Sequence, residues 1–212
     1  MNSDPLMIQS NTKLLKDIAF DMTVLLVEDD IEIQHHLKNF LSRFFGRVDT
    51  ATNGIEALDL YNLHLYDLVI TDLTMPYMDG IEFSANIRNI KNSQHIIVVS
   101  AHSESEKLIK LINIGVEGFI LKPVDIQQVI TMLLKSCQSI YDHKMLHYFN
   151  NLLEQTNAEL RESNMELEST LNKLGRLREE YHSLENSTSD LDDPMEDDLL
   201  KKIDEIELSL TR

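Results

Sequence analysis

The stretch V-I-T-D-L-T-M-P-Y-M-D-G, residues 69–80, decides the fold. It begins as an apolar run, delivers a single carboxylate at Asp72, and is then interrupted at Pro76 and again at Gly80. An apolar run of this length is typical of a buried strand, and proline and glycine mark the turn after it. A parallel sheet buries its strands but leaves their carboxyl ends open to solvent. The pattern therefore predicts that Asp72 lies at an open strand end.

Similar apolar runs alternate with helical patterns through the first two thirds of the chain. The predicted strands occupy residues 23–28, 47–51, 67–72, 95–100 and 117–122, and the predicted helices occupy 31–45, 54–61, 81–90, 104–114 and a segment from 125 onward. Strands separated by single helices favour right-handed crossovers and a parallel sheet covered on both faces. The predicted fold class is α/β, with a doubly wound five-stranded parallel sheet.

Polar residues end four of the predicted strands. The first ends at Glu28 and Asp29, the third at Asp72, the fourth at Ser100 and the fifth at Lys122. Several carboxylates close together are unfavourable unless a cation shares them, and oxygen ligands of this kind suit Mg²⁺. A carboxylate can also act as a nucleophile and form an acyl phosphate. The lysine and the serine hydroxyl would then neutralise the phosphoryl oxygens.

Four segments carry a resemblance to a known family. V-L-L-V-E-D-D (24–30), D-L-V-I-T-D-L-T-M-P-Y-M-D-G (67–80), I-I-V-V-S-A (96–101) and G-F-I-L-K-P (118–123) resemble the receiver domain of bacterial two-component response regulators, in order and at the family spacing. The resemblance covers residues 22–140. It implies a flavodoxin-like fold with strand order 2-1-3-4-5.

The resemblance also implies a role for each acidic residue. Asp72 would be the phosphoacceptor, and Asp29 and Asp72 would be direct ligands of Mg²⁺. Glu28 would orient a coordinated water, and the backbone carbonyl of Thr74 would be the third protein ligand. The phosphoryl donor would be a histidine kinase or a phosphotransfer protein. The chain would catalyse only its own phosphorylation and dephosphorylation, so it is not predicted to be an enzyme otherwise.

Three further positions match the family's switch. Ser100 would be the switch hydroxyl, Lys122 would pair with the phosphoryl group, and Phe119 stands at the aromatic switch position, which is more often tyrosine. Each site residue alone is more often structural; an acid after a strand, for example, can cap the next helix, as Asp30 is expected to do. Their occurrence together and in sheet order favours the functional interpretation.

A heptad repeat follows the receiver, over residues 141–185, where the last receiver helix is predicted to continue as a coiled coil. Leucine at d with asparagine at a favours a parallel two-stranded coil and hence a parallel homodimer. A helix folding back on its own receiver is the alternative. The predicted seam consists of Leu146, Asn150, Leu153, Asn157, Leu160, Asn164, Leu167, Leu171 and Leu174.

The two ends of the chain are predicted to be extensions. Residues 1–21 form an N-terminal helical extension with a short helix at 12–20. Residues 186–198 form an acidic flexible linker, and residues 199–212 form a short amphipathic helix with one apolar face. Such a helix does not fold alone, so it is expected to dock on an unidentified downstream protein, on the coiled coil, or on a domain missing from this chain.

The composition excludes several classes of partner and location. A net charge of −17 argues against nucleic acid as a partner, and the pattern shows no DNA-binding output domain. A single cysteine fits a reducing compartment, and no apolar run reaches the length of a membrane span. A cytoplasmic location is expected. Two alternatives to a stand-alone regulator remain: the regulatory part of a larger output enzyme, such as a diguanylate cyclase or phosphatase, or a phosphate sink.

Overall fold

The computed structural model describes residues 5–101 and 105–185. The predicted acidic linker at 186–198 and the amphipathic helix at 199–212 lie outside the described residues. The chain divides into two compact units, Met1–His147 and Tyr148–Arg212. The predicted boundary between receiver and coiled coil at residue 140 stays a prediction.

A five-stranded parallel sheet forms the centre of the first unit. The strand order is β2-β1-β3-β4-β5, which confirms the predicted order 2-1-3-4-5. Near-continuous valine, isoleucine and leucine make these strands suitable for burial on both faces. The strands are β1 Thr23–Val27, β2 Arg47–Ala51, β3 Leu68–Asp72, β4 His95–Ser100 and β5 Gly118–Leu121.

Helices connect the strands and cover both faces of the sheet. They are α1 Pro5–Ala19, α2 Ile31–Leu41, α3 Gly54–Leu63, α4 Gly80–Ile90, α5 Ser105–Ile114 and α6 Ile126–Glu185. The sequence predicted α2 as far as residue 45, but the helix ends at Leu41 because Phe44 and Phe45 enter the core through a turn. The first helix starts at Pro5, seven residues before the predicted start.

Each face of the sheet has its own apolar core, because successive side chains of a strand point to opposite faces. On β1, Val24 and Leu26 join one core, and Leu25 and Val27 join the other. The first core also holds Leu15 and Ala19 of α1, together with Cys137 and Ile140 of α6; all four are buried. The N-terminal helix is therefore part of the core rather than a loose appendage.

The last helix, α6, has 60 residues, so the predicted long C-terminal helix is present. Of the nine predicted seam residues, eight are exposed on this single chain, and Leu174 is intermediate. Exposed leucines that recur at heptad spacing are unusual for a helix that stays alone in water.

Within the described residues, no helix combines the length and apolar character needed to cross a membrane.

Candidate functional site

Strand register brings the polar strand ends to one edge of the sheet. Val27 of β1 lies beside Thr71 of β3, so Glu28 and Asp72 follow on adjacent strands. On the other side, Ser100 of β4 pairs with Leu121 of β5, so Lys122 follows next to Ser100. The lysine backbone N–H donates to the Ser100 carbonyl at 2.7 Å, which fixes where its side chain starts.

Lys122 joins two of the acids directly. Its Nζ lies 3.2 and 3.1 Å from the two carboxylate oxygens of Glu28 and 3.2 Å from Oδ2 of Asp72. The other oxygen of Asp72, Oδ1, accepts the Leu73 backbone N–H at 2.8 Å. The lysine side chain therefore bridges two of the acids.

The electrostatics of this cluster are dominated by burial and by an excess of negative charge. Glu28 is 2% exposed, and that burial raises the pKa of its carboxyl; Lys122 opposes the rise, while the charges on Asp72 and Asp29 add to it. Burial alone would lower the pKa of Lys122, but the hydrogen bond to Glu28 and the charge on Asp72 outweigh burial and raise it. The lysine is therefore charged at neutral pH, and it pairs with two of the three clustered carboxylates, those of Glu28 and Asp72.

The acids fit a hard divalent cation. One carboxylate oxygen from each of Glu28, Asp29 and Asp72 lies within 4.8 Å of the other two. Asp29 is exposed and Glu28 is buried, so the cluster runs from the core to solvent. Oxygen ligands with room for waters are the arrangement that Mg²⁺ prefers. Because the carboxylates outnumber the lysine, an added cation would relieve repulsion among them.

The remaining predicted site residues occupy different surroundings. Thr74 is exposed in the loop after β3, and Ser100 is buried, with 2% of its surface exposed. Phe119 is 39% exposed on the edge strand β5 and lines a cavity of about 440 Å³ with residues of α6 such as Gln128 and Thr131. The structure thus brings Glu28, Asp29, Asp72 and Lys122 together and places the Phe119 ring at this cavity.

Two residues that support the site were missed or misread from sequence. The Gln34 side chain donates at 2.9 Å to the carbonyls of both Glu28 and Ala51, so it ties the ends of β1 and β2 together. Gly80 was read as part of a turn, but it is the first residue of α4, with Asp79 as the N-cap. A side chain at Gly80 would collide with the backbone carbonyl of Asp72.

Asp30 caps α2, as predicted.

Comparison with known proteins agrees with this geometry. Residues 24–134 match the family described as response regulator receiver domain. The chemotaxis protein CheY of Halobacterium salinarum is 37% identical over 100 residues, which is 47% of this chain and 83% of that protein. The response regulator ArlR of Staphylococcus aureus is 32% identical over 110 residues, 52% of this chain and 50% of that protein. The chain therefore spans only about half the length of this second relative.

A solved structure shows the same similarity. The receiver domain of the Francisella response regulator 1452 superposes with a TM-score of 0.52 at 28% identity, and the match covers 56% of this chain and 98% of that one. The family match over residues 24–134 contains the strand ends that carry the acids and the lysine. The chain belongs to the response regulator receiver family and contains the receiver domain of a response regulator from a two-component system.

Proposed function

We propose that Asp72 accepts a phosphoryl group from a histidine kinase or a phosphotransfer protein in the cytoplasm. A carboxylate oxygen of Asp72 attacks the phosphorus, the bond between phosphorus and the donor's histidine nitrogen breaks, and the histidine leaves with the electron pair. The observation that supports this most is the bridge from Lys122 to Asp72 within an excess of carboxylates. An incoming phosphoryl oxygen can replace Asp72 as the lysine's partner.

Mg²⁺ is the cofactor that we propose for this reaction. Asp29, Asp72 and the backbone carbonyl of Thr74 would hold it, with Glu28 acting through a coordinated water. When bound, the ion neutralises charge on the phosphoryl oxygens and on the carboxylates. Lys122 then exchanges its partners in the acid cluster for the phosphoryl group. Leu73, through its backbone N–H, keeps the Asp72 carboxylate oriented at 2.8 Å.

The switch and the output are part of the same proposal. Ser100 and Phe119 would move towards the phosphoryl group and change the surface formed by α5, β5 and α6. Because α6 continues without interruption to Glu185, the change would reach the nine seam residues. These residues would pair with a second copy in a parallel coiled coil. Exposure of the seam leucines on the single chain supports that pairing.

The phosphoacceptor is tested with phosphoramidate and magnesium chloride, followed by intact mass spectrometry. We expect one added phosphoryl group on the wild-type chain and none on Asp72→Asn. Asp79→Asn is the matched control, because it removes an acid from the same loop while asparagine still caps α4. Labelling of the Asp72→Asn chain at the wild-type rate would contradict the proposal.

The coiled coil is tested by light scattering with and without beryllofluoride, which mimics the acyl phosphate. We expect a dimer in at least one state, and Leu160→Lys should return it to a monomer because a charge in the seam is unfavourable. Gln155→Lys adds the same charge to the same helix at a position off the seam and should leave the dimer intact. A monomer in both states, or equal loss in both variants, would contradict pairing through the seam.

A further inference from the structure

Tyr77 stands out in the loop that follows the phosphoacceptor strand. It lies five residues after Asp72, its side chain is 86% exposed, and its backbone φ is +69°. The Met78 backbone N–H donates to the Pro76 carbonyl at 2.9 Å, which closes a three-residue γ-turn centred on Tyr77. Turns of this kind with positive φ are rare, and a bulky residue in this backbone region is an outlier.

The surrounding loop holds Tyr77 in this conformation. Met75 is buried in the core on one side of the turn. On the other side, the Met78 carbonyl accepts the Gly54 backbone N–H at 3.2 Å, and a side chain at Gly54 would come within 2.6 Å of the Met78 side chain. Both ends of the turn are therefore fixed. The aromatic ring is held in solvent at a backbone position where glycine or asparagine would be relaxed.

A strained backbone beside a reactive site indicates a function that offsets the strain. The site edge around this loop is acidic, because exposed acids follow β1 and begin α4: Asp29, Asp30, Asp79 and Glu82. Tyrosine is among the residues that most often dominate binding energy at protein interfaces. An aromatic ring within an acidic edge complements a partner surface that is basic and has an apolar patch.

We propose that Tyr77 is a specificity-determining contact for the protein that delivers the phosphoryl group, with its ring packed on an apolar patch in the donor's basic surface. The inference rests on the proposed phosphoryl transfer to Asp72. A donor protein must bring its phosphohistidine to Asp72 and therefore covers the loop that carries Tyr77. A small phosphodonor has no surface to place on this ring, so only transfer between proteins depends on it.

The experiment compares two kinds of donor on the same variants. Wild type, Tyr77→Gly, Tyr77→Phe and the control Leu65→Asn are phosphorylated with phosphoramidate and with a panel of purified, phosphorylated histidine kinases and phosphotransfer domains. Leu65 is 90% exposed and lies before β3, at the opposite sheet edge. The value of kcat/KM is measured for the panel member that is fastest with wild type. Glycine suits the positive φ, so this variant is expected to fold.

We expect Tyr77→Gly to lower kcat/KM for the protein donor by about tenfold or more, while Tyr77→Phe and Leu65→Asn stay within about twofold of wild type. The rate with phosphoramidate should be unchanged in all variants. An equal loss with both donors would overturn the inference, because it would place the effect in the geometry of Asp72. An unchanged rate with the protein donor would also overturn it. If wild type accepts phosphate from phosphoramidate but from no protein donor, the proposed function falls as well.

Discussion

The two ends of the parallel sheet hold their carboxylates in different ways. At the carboxyl end, Glu28, Asp29 and Asp72 form one cluster, in which Lys122 pairs with Glu28 and Asp72. At the amino end, Glu117 accepts the Ile96 backbone N–H and forms an ion pair with Arg88 at 3.4 Å. At the amino end, hydrogen-bond donors and a positive charge therefore match the negative charge of the carboxylate. At the carboxyl end, the negative charge of the acids exceeds the positive charge within the described residues.

The Asp67 carboxylate at the amino end shows the same matching. One oxygen accepts the Thr23 backbone N–H at 2.8 Å, and the other pairs with Lys144 of α6 at 2.6 Å. Such a carboxylate stabilises the fold, whereas acids in excess are unfavourable and persist where chemistry uses them. The comparison therefore teaches that removing an acid should have opposite effects on stability at the two ends.

The largest effect is expected from removing the lysine at the carboxyl end. Lys122→Met leaves Glu28 and Asp72 without a cationic partner in a poorly solvated site, so the free energy of unfolding should fall by about 3 kcal/mol at neutral pH. Urea unfolding measures this, and magnesium chloride should restore part of the loss. Lys135→Met, an exposed lysine of α6, serves as the control and should change stability by less than about 0.5 kcal/mol. If Lys122→Met and Lys135→Met lowered the free energy of unfolding equally, Lys122 would not be needed to offset the excess of carboxylates at this end.

A smaller loss is expected at the amino end from Glu117→Gln. The amide keeps the shape of the side chain but replaces a charged acceptor that serves the Ile96 N–H and Arg88. Hydrogen bonds to charged groups contribute about 2 kcal/mol, so the free energy of unfolding should fall by about that amount. Denaturation in urea gives the value. A variant as stable as wild type would show that this carboxylate is not matched in the way that we describe.

His95, at the amino end of the sheet, should also make the stability of the protein depend on pH. Burial lowers the pKa of His95 from its usual 6.5; Glu117 opposes this, and the positive Arg88 and Lys91, with His143, add to it. The folded state then binds fewer protons than the unfolded state, so the stability contributed by neutral His95 is present above pH 6.5 and is lost as pH falls below it.

His95→Asn should therefore reduce the loss of stability between about pH 7.5 and about pH 5.5, by less than the effect of Glu117→Gln. Urea midpoints at the two pH values measure it. The exposed His36 of α2 provides the control for replacing a histidine by asparagine, through His36→Asn. Identical pH profiles for His95→Asn and wild type would contradict the assignment to this histidine.

The smallest effect has the opposite sign. Asp29→Asn removes one of the crowded acids at the carboxyl end without removing a partner of Lys122, so the free energy of unfolding should rise by about 0.5 kcal/mol in the absence of divalent ions. Thermal unfolding in the presence of a chelator measures it. Because Asp29 is a proposed ligand, magnesium should stabilise this variant less than wild type. A loss of stability in the chelator would show that the acids are not in excess.

Much of the fold could be predicted from sequence because the strands are continuous apolar runs bounded by clear turns. The predicted strands at 47–51 and 95–100 match Arg47–Ala51 and His95–Ser100. The predicted end of α2 was wrong because the helical spacing of apolar residues continues to Phe44 and Phe45. These two side chains reach the core from a turn instead. Local periodicity does not distinguish those two ways of burying an aromatic ring.

The site and its surroundings were predictable to different degrees. The acids and the lysine end strands, and parallel strands end at one edge, so their proximity follows from topology. The bridge from Lys122 to Glu28 joins residues 94 positions apart, and no local pattern shows that the lysine would have a partner before any ligand binds. The same holds for the pair between Lys144 and Asp67 at the other end.

The burial of α1 has a consequence for building chimeric regulators. A chimera that took only the residues matched by the receiver family would begin at residue 24. A cut there would discard Leu15 and Ala19 and expose Cys137 and Ile140, which share their core. A receiver segment taken from this protein should therefore start before α1. A shorter segment would have an exposed apolar surface where α1 and the start of α6 share a core.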